Sequence, residues 1–275
     1  MIIHKSNNVT VFQSAMFQLN TTVVATEDLI LVVDPGYLPY EIEKIRLYVD
    51  RIKGDRPIYL FFTHSDFDHI VGYGAFLDAK TIASEQFVTN NLKESQLQEA
   101  INYDDEYYIV RPYQLVYPSI DYMIKEDGER FQVGNTLLTF YYALGHNHDG
   151  LIGVIESEKL AIVGDYLSDI EFPFVYFSFE QYDRTLTTLS SIFKENHELT
   201  LITSHGTVTS DQSEIIKRLN DSYEYLEFVK RQGSGEQFEQ FMKEKNYLFS
   251  SVFRKRHQDN LMVYGRERDV RRLQK

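Results

Sequence analysis

The sequence predicts an α/β fold. Apolar runs typical of buried strands, such as residues 58–62, alternate with segments of helical spacing, such as residues 40–51. Strand, helix and strand in succession are the rhythm of α/β proteins. A second observation agrees, because loops containing histidine and aspartate directly follow several predicted strands. Such folds commonly place their chemistry at the carboxyl ends of strands.

The first part of the chain predicts an antiparallel strand pair followed by helices and strands in alternation. The pair comprises the apolar segments 9–19 and 23–33, which join near Asn20-Thr21-Thr22 and end in a turn at Asp34-Pro35-Gly36. The elements that follow are a helix at 40–51, a strand at 58–62, a short helix over 72–77, a short strand at 81–83, a polar helix capped by Ser84 that runs to about Asn102, and an irregular tyrosine-rich stretch at 103–122.

The rest of the chain predicts a second strand-rich region that ends in helices. Its elements are a hairpin over 131–141 that turns at Gly134-Asn135, a strand pair over 151–157 and 159–163, a helix at 181–195, a strand at 199–203, and helices at 213–231 and 236–245. We predict one domain over residues 1–275, in which residues 211–275 form a mainly helical C-terminal extension packed on the rest.

Composition and charge disfavour several classes of protein. The chain has 275 residues, of which 43% are hydrophobic, and no cysteine, so any bound metal has only nitrogen and oxygen donors. The net charge of −13 repels polyphosphate backbones, and we expect the basic residues of 254–272 to form a solvated face that pairs with the acidic body. Nucleic acid is therefore not an expected partner. We expect a small-molecule substrate instead.

Location and assembly are predicted only in outline. No apolar stretch is long enough to span a membrane, and residues 1–6 lack the pattern of a secretory signal. We therefore expect a cytoplasmic protein with no membrane partner. A homo-oligomer stays open.

The hexapeptide His64-Ser65-Asp66-Phe67-Asp68-His69 is the most informative segment. It places four metal-binding side chains within six residues, immediately after the predicted strand 58–62. Three more residues follow predicted strands in the same way, namely His146, Asp165 and His205. A single histidine or aspartate in a loop is usually solvated or a cap, but the joint pattern indicates a site for a pair of transition metals.

This ordered set resembles the metallo-β-lactamase superfamily, whose motifs run Asp, H-x-H-x-D-H, His, Asp and His along the chain. The matching positions are Asp34, residues 64–69, His146, Asp165 and His205. The resemblance implies an αββα four-layer sandwich of two mixed β-sheets flanked by helices. It also implies two divalent metal ions, zinc by family, with one ion on His64, Asp66 and His146, the other on Asp68, His69 and His205, and Asp165 bridging them. Asp34 is implied to be a supporting residue.

Asp66 departs from the family pattern, because most relatives have histidine at that position. A carboxylate adds a negative charge and a harder oxygen donor, which shifts the preference toward iron or manganese. If the shorter Asp66 reaches its ion only through water, a single-metal enzyme results. Flavodiiron proteins carry a glutamate at the same position, so an acidic residue there is chemically compatible with a metal site.

The default chemistry of such a centre is hydrolysis by a metal-bound hydroxide. Asp68 is expected to orient the hydroxide, and His148 and Tyr166 are candidates for the proton donor. No lysine or arginine cradle lies beside the ligand motifs, so small esters, lactones and thioesters are favoured. The alternatives are a non-hydrolytic diiron oxidoreductase that resembles the catalytic domain of flavodiiron proteins, a phosphodiesterase of the same fold, or a degenerate partner-binding domain. The aromatic segment 172–179 is an apolar wall for the substrate, part of the core or a contact with a partner.

Overall fold

The computed structural model describes residues 1–247 and 250–273, and its framework is a pair of mixed β-sheets. The strands of the first sheet are, in both chain and spatial order, β1 (Ile2–Lys5), β2 (Val9–Gln13), β3 (Asn20–Ala25), β4 (Ile30–Val33), β5 (Ile58–Phe61), β6 (Lys80–Ser84) and β7 (Tyr122–Ile124). Strands β1 to β4 are antiparallel neighbours, whereas β4 to β7 run parallel.

The second sheet is formed by the later strands. These are β8 (Glu129–Val133), β9 (Thr136–Tyr142), β10 (Leu151–Ile155), β11 (Leu160–Ile162) and β12 (Thr200–Ile202). The spatial order is β12-β11-β10-β9-β8, and only the pairing of β11 with β12 is parallel. The two sheets bury an apolar layer between them, in which the rings of Phe61 and Phe140 meet edge to face with centroids 5.0 Å apart.

Helices cover the outer face of the first sheet. They are α1 (Pro39–Ile52), α2 (Phe67–Ile70), α3 (Glu85–Val88) and α4 (Lys93–Glu106). The buried positions of α1, Ile42, Ile45 and Val49, recur at helical spacing and pack into the same apolar core as Leu60 of β5. The helical layer follows from this one-sided pattern.

The outer face of the second sheet is covered by α5 (Phe179–Glu195), α6 (Gln212–Lys230), α7 (Glu236–Glu244) and α8 (Ser250–Leu273). Leu186 and Leu189 of α5 share one apolar core with Tyr225 of α6 and Phe238 of α7. The order of layers is helix, sheet, sheet, helix, which confirms the predicted αββα sandwich. In the described residues, no helix has the length and hydropathy of a membrane span.

Two predicted boundaries in the first half are wrong. Asn20, Thr21 and Thr22 were expected to join two strands, but they begin β3. The polar side chain of Asn20 is tolerated in this buried strand because its Nδ2 donates to the carbonyls of Thr203 and Gly206, at 2.9 Å each. The chain turns before Asn20, over residues 14–19, and turns again between β3 and β4, within the predicted strand 23–33.

The helix capped by Ser84 is also shorter than expected. Ser84 Oγ accepts a hydrogen bond from the N–H of Phe87 at 3.1 Å, but it caps only α3. Asn90 then interrupts the helix, since its Oδ1 accepts from the N–H of Leu92 and its Nδ2 donates to Ser65 Oγ, both at 2.7 Å. The hydrogen bond from Asn90 to Ser65 connects the residues after α3 to the hexapeptide.

The basic C-terminal residues lie on α8, a helix within the region 211–275 that was predicted to be mainly helical, although no helix bounds were predicted after residue 245. One side of α8 is solvated as expected, and Arg254 and Arg271 pair with Glu239 and Glu180. The other side buries Phe253, His257 and Asn260 against the second sheet's helices. The tail is therefore an amphipathic helix that takes part in the core.

Candidate metal centre

Four strand ends deliver the predicted metal ligands to one place. The hexapeptide follows β5, and the loops after β9, β11 and β12 supply one residue each. The side chains brought together are His64, Asp66, Asp68, His69, His146, Asp165 and His205. Gly145 lets the loop after β9 pass the start of α5, because a Cβ there would lie 2.4 Å from the Cα of Tyr182.

The first ligand set consists of His64, Asp66, His146 and Asp165. Asp66 Oδ2 lies 3.5 Å from His64 Nε2 and 3.3 Å from His146 Nε2. Asp165 Oδ2 lies 3.7 Å and 3.2 Å from the same two nitrogens. Tetrahedral ligands at metal distances of about 2.0–2.1 Å are about 3.3 Å apart, so the spacing fits a metal ion.

The second ligand set consists of Asp68, His69 and His205 with the other oxygen of Asp165. Asp165 Oδ1 lies 3.3 Å from His69 Nε2 and 3.5 Å from His205 Nε2. The carboxylate of Asp68 lies 3.7 Å and 3.5 Å from those nitrogens. Asp165 thus offers one oxygen to each set, which is the arrangement of a bridging carboxylate.

Each imidazole is held through its Nδ1, which leaves Nε2 free to bind a metal. His146 Nδ1–H donates to the carbonyl of Phe174 at 2.7 Å, and His205 Nδ1–H donates to that of Phe17 at 2.9 Å. His64 Nδ1–H donates to Thr63 Oγ1 at 3.1 Å. Supporting contacts of this kind fix the ring and its tautomer in metal sites.

Asp34 forms hydrogen bonds with residues of the centre without belonging to either ligand set. Its buried Oδ2 accepts hydrogen bonds from His69 Nδ1 at 2.9 Å, Thr63 Oγ1 at 2.7 Å and Ser204 Oγ at 3.1 Å. Its Oδ1 accepts from the N–H of Thr63 at 3.0 Å. One carboxylate therefore joins the end of β5, the hexapeptide and the loop after β12.

Asp66 is placed to reach an ion directly. Its Oδ1 accepts hydrogen bonds from Asn147 Nδ2 at 2.7 Å and from Gln96 Nε2 at 3.1 Å. The Gln96 Oε1 in turn accepts from the N–H of Phe67 at 3.0 Å. These amides hold Oδ2 toward His64 and His146, so the shorter side chain still enters the first ligand set.

The protonation of the centre reflects crowded opposite charges. Burial works to lower the pKa of His146, but Asp165 and Asp66 outweigh it and raise that pKa to about 10. Burial likewise opposes ionisation of Asp165, yet the surrounding histidines hold its pKa well below the usual value. Without a cation, the carboxylates therefore favour the protonated forms of His69, His146 and His205.

A divalent metal fits these residues better than protons do. Seven buried side-chain atoms have no hydrogen-bond partner in the described part of the chain, and three of them belong to this centre, namely His64 Nε2, His69 Nε2 and Asp165 Oδ1. All three face the ligand sets, and an orphaned buried polar atom is costly. The donor set of imidazole nitrogens and carboxylate oxygens suits zinc, iron or manganese.

Glu171 is a site residue that the sequence reasoning missed. Its carboxylate lies within 4.8 Å of ligand atoms of Asp165 and His205, although it makes no hydrogen bond to another described residue. Burial, opposed by the nearby His205 and reinforced by Asp165, raises the pKa of Glu171 to about 7. Its signal in the sequence was no more than its position directly before the aromatic segment 172–179.

The aromatic segment 172–179 divides between core and cleft. Phe172, Val175 and Phe179 are buried in the core of the second helical layer. Tyr176 instead packs beside the metal ligands, with its ring centroid 5.1 Å from that of His146. The core role is therefore confirmed for Phe172, Val175 and Phe179, while an apolar wall for the substrate stays a prediction.

The two candidate proton donors differ in position. His148 is half-buried at the rim, where its ring lies 6.1 Å from that of Phe177 and its Nδ1 lies 3.1 Å from Asn147 Oδ1. Tyr166 is buried, and its hydroxyl donates to the carbonyl of Leu144 at 2.8 Å and accepts from the N–H of His146 at 3.1 Å. These bonds give Tyr166 a role in positioning the His146 loop, while proton donation by either residue stays an untested prediction.

Comparison with known proteins supports the fold. A family model described as the metallo-beta-lactamase superfamily matches residues 16–205. No curated protein matches the chain. The stereoselective inverting sec-alkylsulfatase Pisa1 from Pseudomonas sp. is a structural neighbour with TM-score 0.66 and 13% identity, which covers 96% of this chain and 49% of that one. This chain therefore spans about half the length of the alkylsulfatase.

Two shorter neighbours match over most of their own length. A metallo-beta-lactamase family protein from Thermus thermophilus has TM-score 0.60 and 14% identity, and covers 94% of this chain and 93% of that one. ETHE1 from Myxococcus xanthus has TM-score 0.58 and 15% identity, over 84% and 93% of the two chains. At these identities the likeness shows the fold alone.

Proposed function

Because the chain belongs to the metallo-beta-lactamase superfamily, we propose that it is a metal-dependent hydrolase that acts on a small ester, lactone or thioester. The single observation that carries the proposal is the position of Asp165, whose two oxygens face two sets of ligand atoms. Two divalent ions, zinc first, are the proposed cofactors. When bound, such ions polarise the scissile carbonyl and make an attacking water acidic near neutral pH.

The residues of the chain would orient the reactants around these ions. The carboxylate of Asp68 faces both His69 and His205, so it can bind an ion and accept a hydrogen bond from the attacking water. Glu171, directly before the aromatic segment, lies close to His205 and Asp165. His148, at the rim, is our proposed donor of a proton to the leaving group.

Charge balance supports two ions over one. Asp66, Asp68, Asp165 and Glu171 contribute four carboxylates to the ligand groups. Two divalent cations balance these four groups when the imidazoles are neutral and Glu171, whose pKa burial raises to about 7, is ionised. A single cation leaves the three aspartates alone with a net negative charge in a buried place.

The test is an activity screen of protein loaded with zinc, manganese or iron against small esters, lactones and thioesters, with phosphodiesters and sulfate esters as further classes. His69→Ala removes a ligand of the second ion, and His197→Ala, away from the ligand sets, is the control. We expect turnover that chelation and His69→Ala abolish and His197→Ala retains. Turnover that survives His69→Ala would refute the mechanism.

A second candidate function is a non-hydrolytic diiron oxidoreductase. The observation that favours it is Asp66 Oδ2 in the first ligand set, since a carboxylate there is a harder donor than imidazole. Absorption spectra and redox titration of protein purified without added metal separate the two. A colourless zinc protein excludes the oxidoreductase.

A further inference from the structure

Helix α8 brings a cation next to the ligand sets. The guanidinium of Arg256 lies 5.3 Å from the ring centroid of Tyr176 and 5.9 Å from that of Phe174. The ring of Tyr176 in turn lies 5.1 Å from that of His146. Arg256 is thus one aromatic ring away from a metal ligand, although it is 110 positions later in the chain than His146.

The guanidinium of Arg256 has unused hydrogen-bonding capacity. Among the described residues it makes no hydrogen bond, and its ion pair is a 3.9 Å contact between Nη1 and Asp259 Oδ2. By contrast, Arg254 donates to both carboxylate oxygens of Glu239, and Arg111 donates to both of Asp104. Arginine carries five N–H donors, so the side chain of Arg256, 26% exposed, is available to a ligand.

The position of Arg256 is fixed relative to the cleft. Asn260, one helical turn further along α8, accepts a hydrogen bond from the N–H of Val175 at 2.8 Å and donates to the carbonyl of Pro173 at 2.7 Å. The same aromatic segment carries Phe174 and Tyr176, over which the guanidinium lies. Stacking on aromatic rings restricts a guanidinium while leaving its N–H edge free for a planar acceptor.

Helix α4 also carries neighbours of Arg256. Its Glu99 and Tyr103 interact electrostatically with Arg256, and Glu99 also interacts with Asp66 and Asp68. Glu99 is therefore a charged neighbour both of Arg256 and of the ligand residues Asp66 and Asp68. Glu99 forms no ion pair with Arg256 within 4.0 Å in the described residues, so it screens the cation without occupying its donors.

We infer that Arg256 binds a carboxylate on the substrate, at the end remote from the scissile bond. The inference rests on the proposed function and names its substrate class, an ester or thioester of a dicarboxylic acid. A protein of net charge −13 repels anions, so an anionic substrate needs a local cation. The planar fork of arginine matches a carboxylate with two parallel hydrogen bonds.

The test compares two series of nitrophenyl esters of equal chain length, one ending in a carboxylate and the other in a methyl group. Metal-loaded wild type, Arg256→Gln, Arg256→Lys and the control Arg254→Gln are assayed for KM and kcat. We expect Arg256→Gln to raise KM for the carboxylate series about tenfold or more, with kcat and the methyl series unchanged. Arg256→Lys should recover part of the loss, because it keeps the charge and not the fork.

A variant of Glu99 on α4 gives an independent test of the same KM. Glu99→Gln should lower KM for the carboxylate series, because it removes a negative charge that screens Arg256 and repels the substrate carboxylate. Equal effects of Arg256→Gln on both ester series, or no effect on either, would overturn the inference. Thermal unfolding of each variant separates misfolding from lost binding, and Arg256→Lys remains informative if Arg256→Gln unfolds.

Failure of the proposed function would be visible separately. If no ester is hydrolysed, calorimetric binding of the free dicarboxylic acids to metal-loaded wild type and Arg256→Gln still tests the inference. Binding that is about tenfold weaker in the variant supports it without hydrolysis. Equal binding by the two proteins, or no binding by the wild type, contradicts it.

Discussion

Asn260 of α8 accepts a 2.8 Å hydrogen bond from the backbone N–H of Val175, in the middle of the aromatic segment. The same amide donates to the carbonyl of Pro173 and to the hydroxyl of Tyr225. Asn260 is fully buried, so these bonds form away from water. The C-terminal helix thereby holds the segment that places Glu171 and Tyr176 beside the metal ligands.

We predict that Asn260→Ala destabilises the protein by about 2 kcal/mol or more, because it strands buried backbone and hydroxyl groups without partners. Urea unfolding of the metal-loaded protein measures the loss. Gln258→Ala changes an exposed position of the same helix and serves as the control. Similar stabilities of the two variants would show that the hydrogen bonds of Asn260 contribute nothing to the stability of the fold.

Asp34→Asn should weaken metal binding without removing a ligand. The carboxylate oxygen that faces His69, Thr63 and Ser204 accepts three hydrogen bonds, and an amide nitrogen in its place cannot accept them. Loss of such support typically lowers affinity about 10–100-fold. Competition with a chromophoric chelator measures the change, and an affinity equal to that of the exposed-site control Asp50→Asn would contradict the prediction.

Metal removal should destabilise the fold. A ligand that binds only the folded state stabilises it, and the two ligand sets come together only when the strand ends are brought together by folding. The midpoint of thermal unfolding should therefore rise with zinc concentration in the wild type, and rise much less in Asp165→Ala, which lacks the bridging group. A midpoint independent of metal in the wild type would argue against a built site.

Acid should weaken the packing of the C-terminal helices through His257. Burial lowers the pKa of His257, whose Nε2–H donates to the carbonyl of Gly233 at 2.7 Å while its Nδ1 lies 3.0 Å from the Tyr225 hydroxyl. A histidine with a depressed pKa contributes its full stability above the unfolded pKa of about 6.5 and loses it as the pH falls below that value toward the folded pKa.

The matched variant for this prediction is His257→Gln. The difference in unfolding free energy between wild type and variant should be largest near pH 7.5 and shrink toward pH 5, while titration of the ligand histidines is common to both proteins and cancels. Urea unfolding at several pH values measures this difference. A constant difference across that range would show that His257 does not titrate in the way its burial requires.

The ligand residues could be predicted from the sequence because their signal is local. The hexapeptide lies within six positions, and His146, Asp165 and His205 each follow an apolar run that folds as a strand. The order of these motifs also predicted the αββα layers. The end of a strand can be recognised from neighbouring residues in the sequence, without knowledge of distant contacts.

Glu171 and Arg256 could not be predicted in this way, because their positions depend on packing between distant segments. Asn260 and Val175 are 85 positions apart, and no periodic pattern links them. Strand β3 was misplaced for a related reason, since the polar start of the strand at Asn20 is stabilised by carbonyls of the loop after β12. The sequence shows the polar residue but not its partner.

Two ions that share Asp165 are the centre of the proposed mechanism. Anomalous diffraction from crystals of the zinc-loaded protein tests this arrangement most directly. We predict two peaks roughly 3.5–4 Å apart, one beside His64, Asp66 and His146 and one beside Asp68, His69 and His205, with an oxygen of Asp165 on each. A single peak away from Asp165, or no peak between the imidazoles, would contradict it.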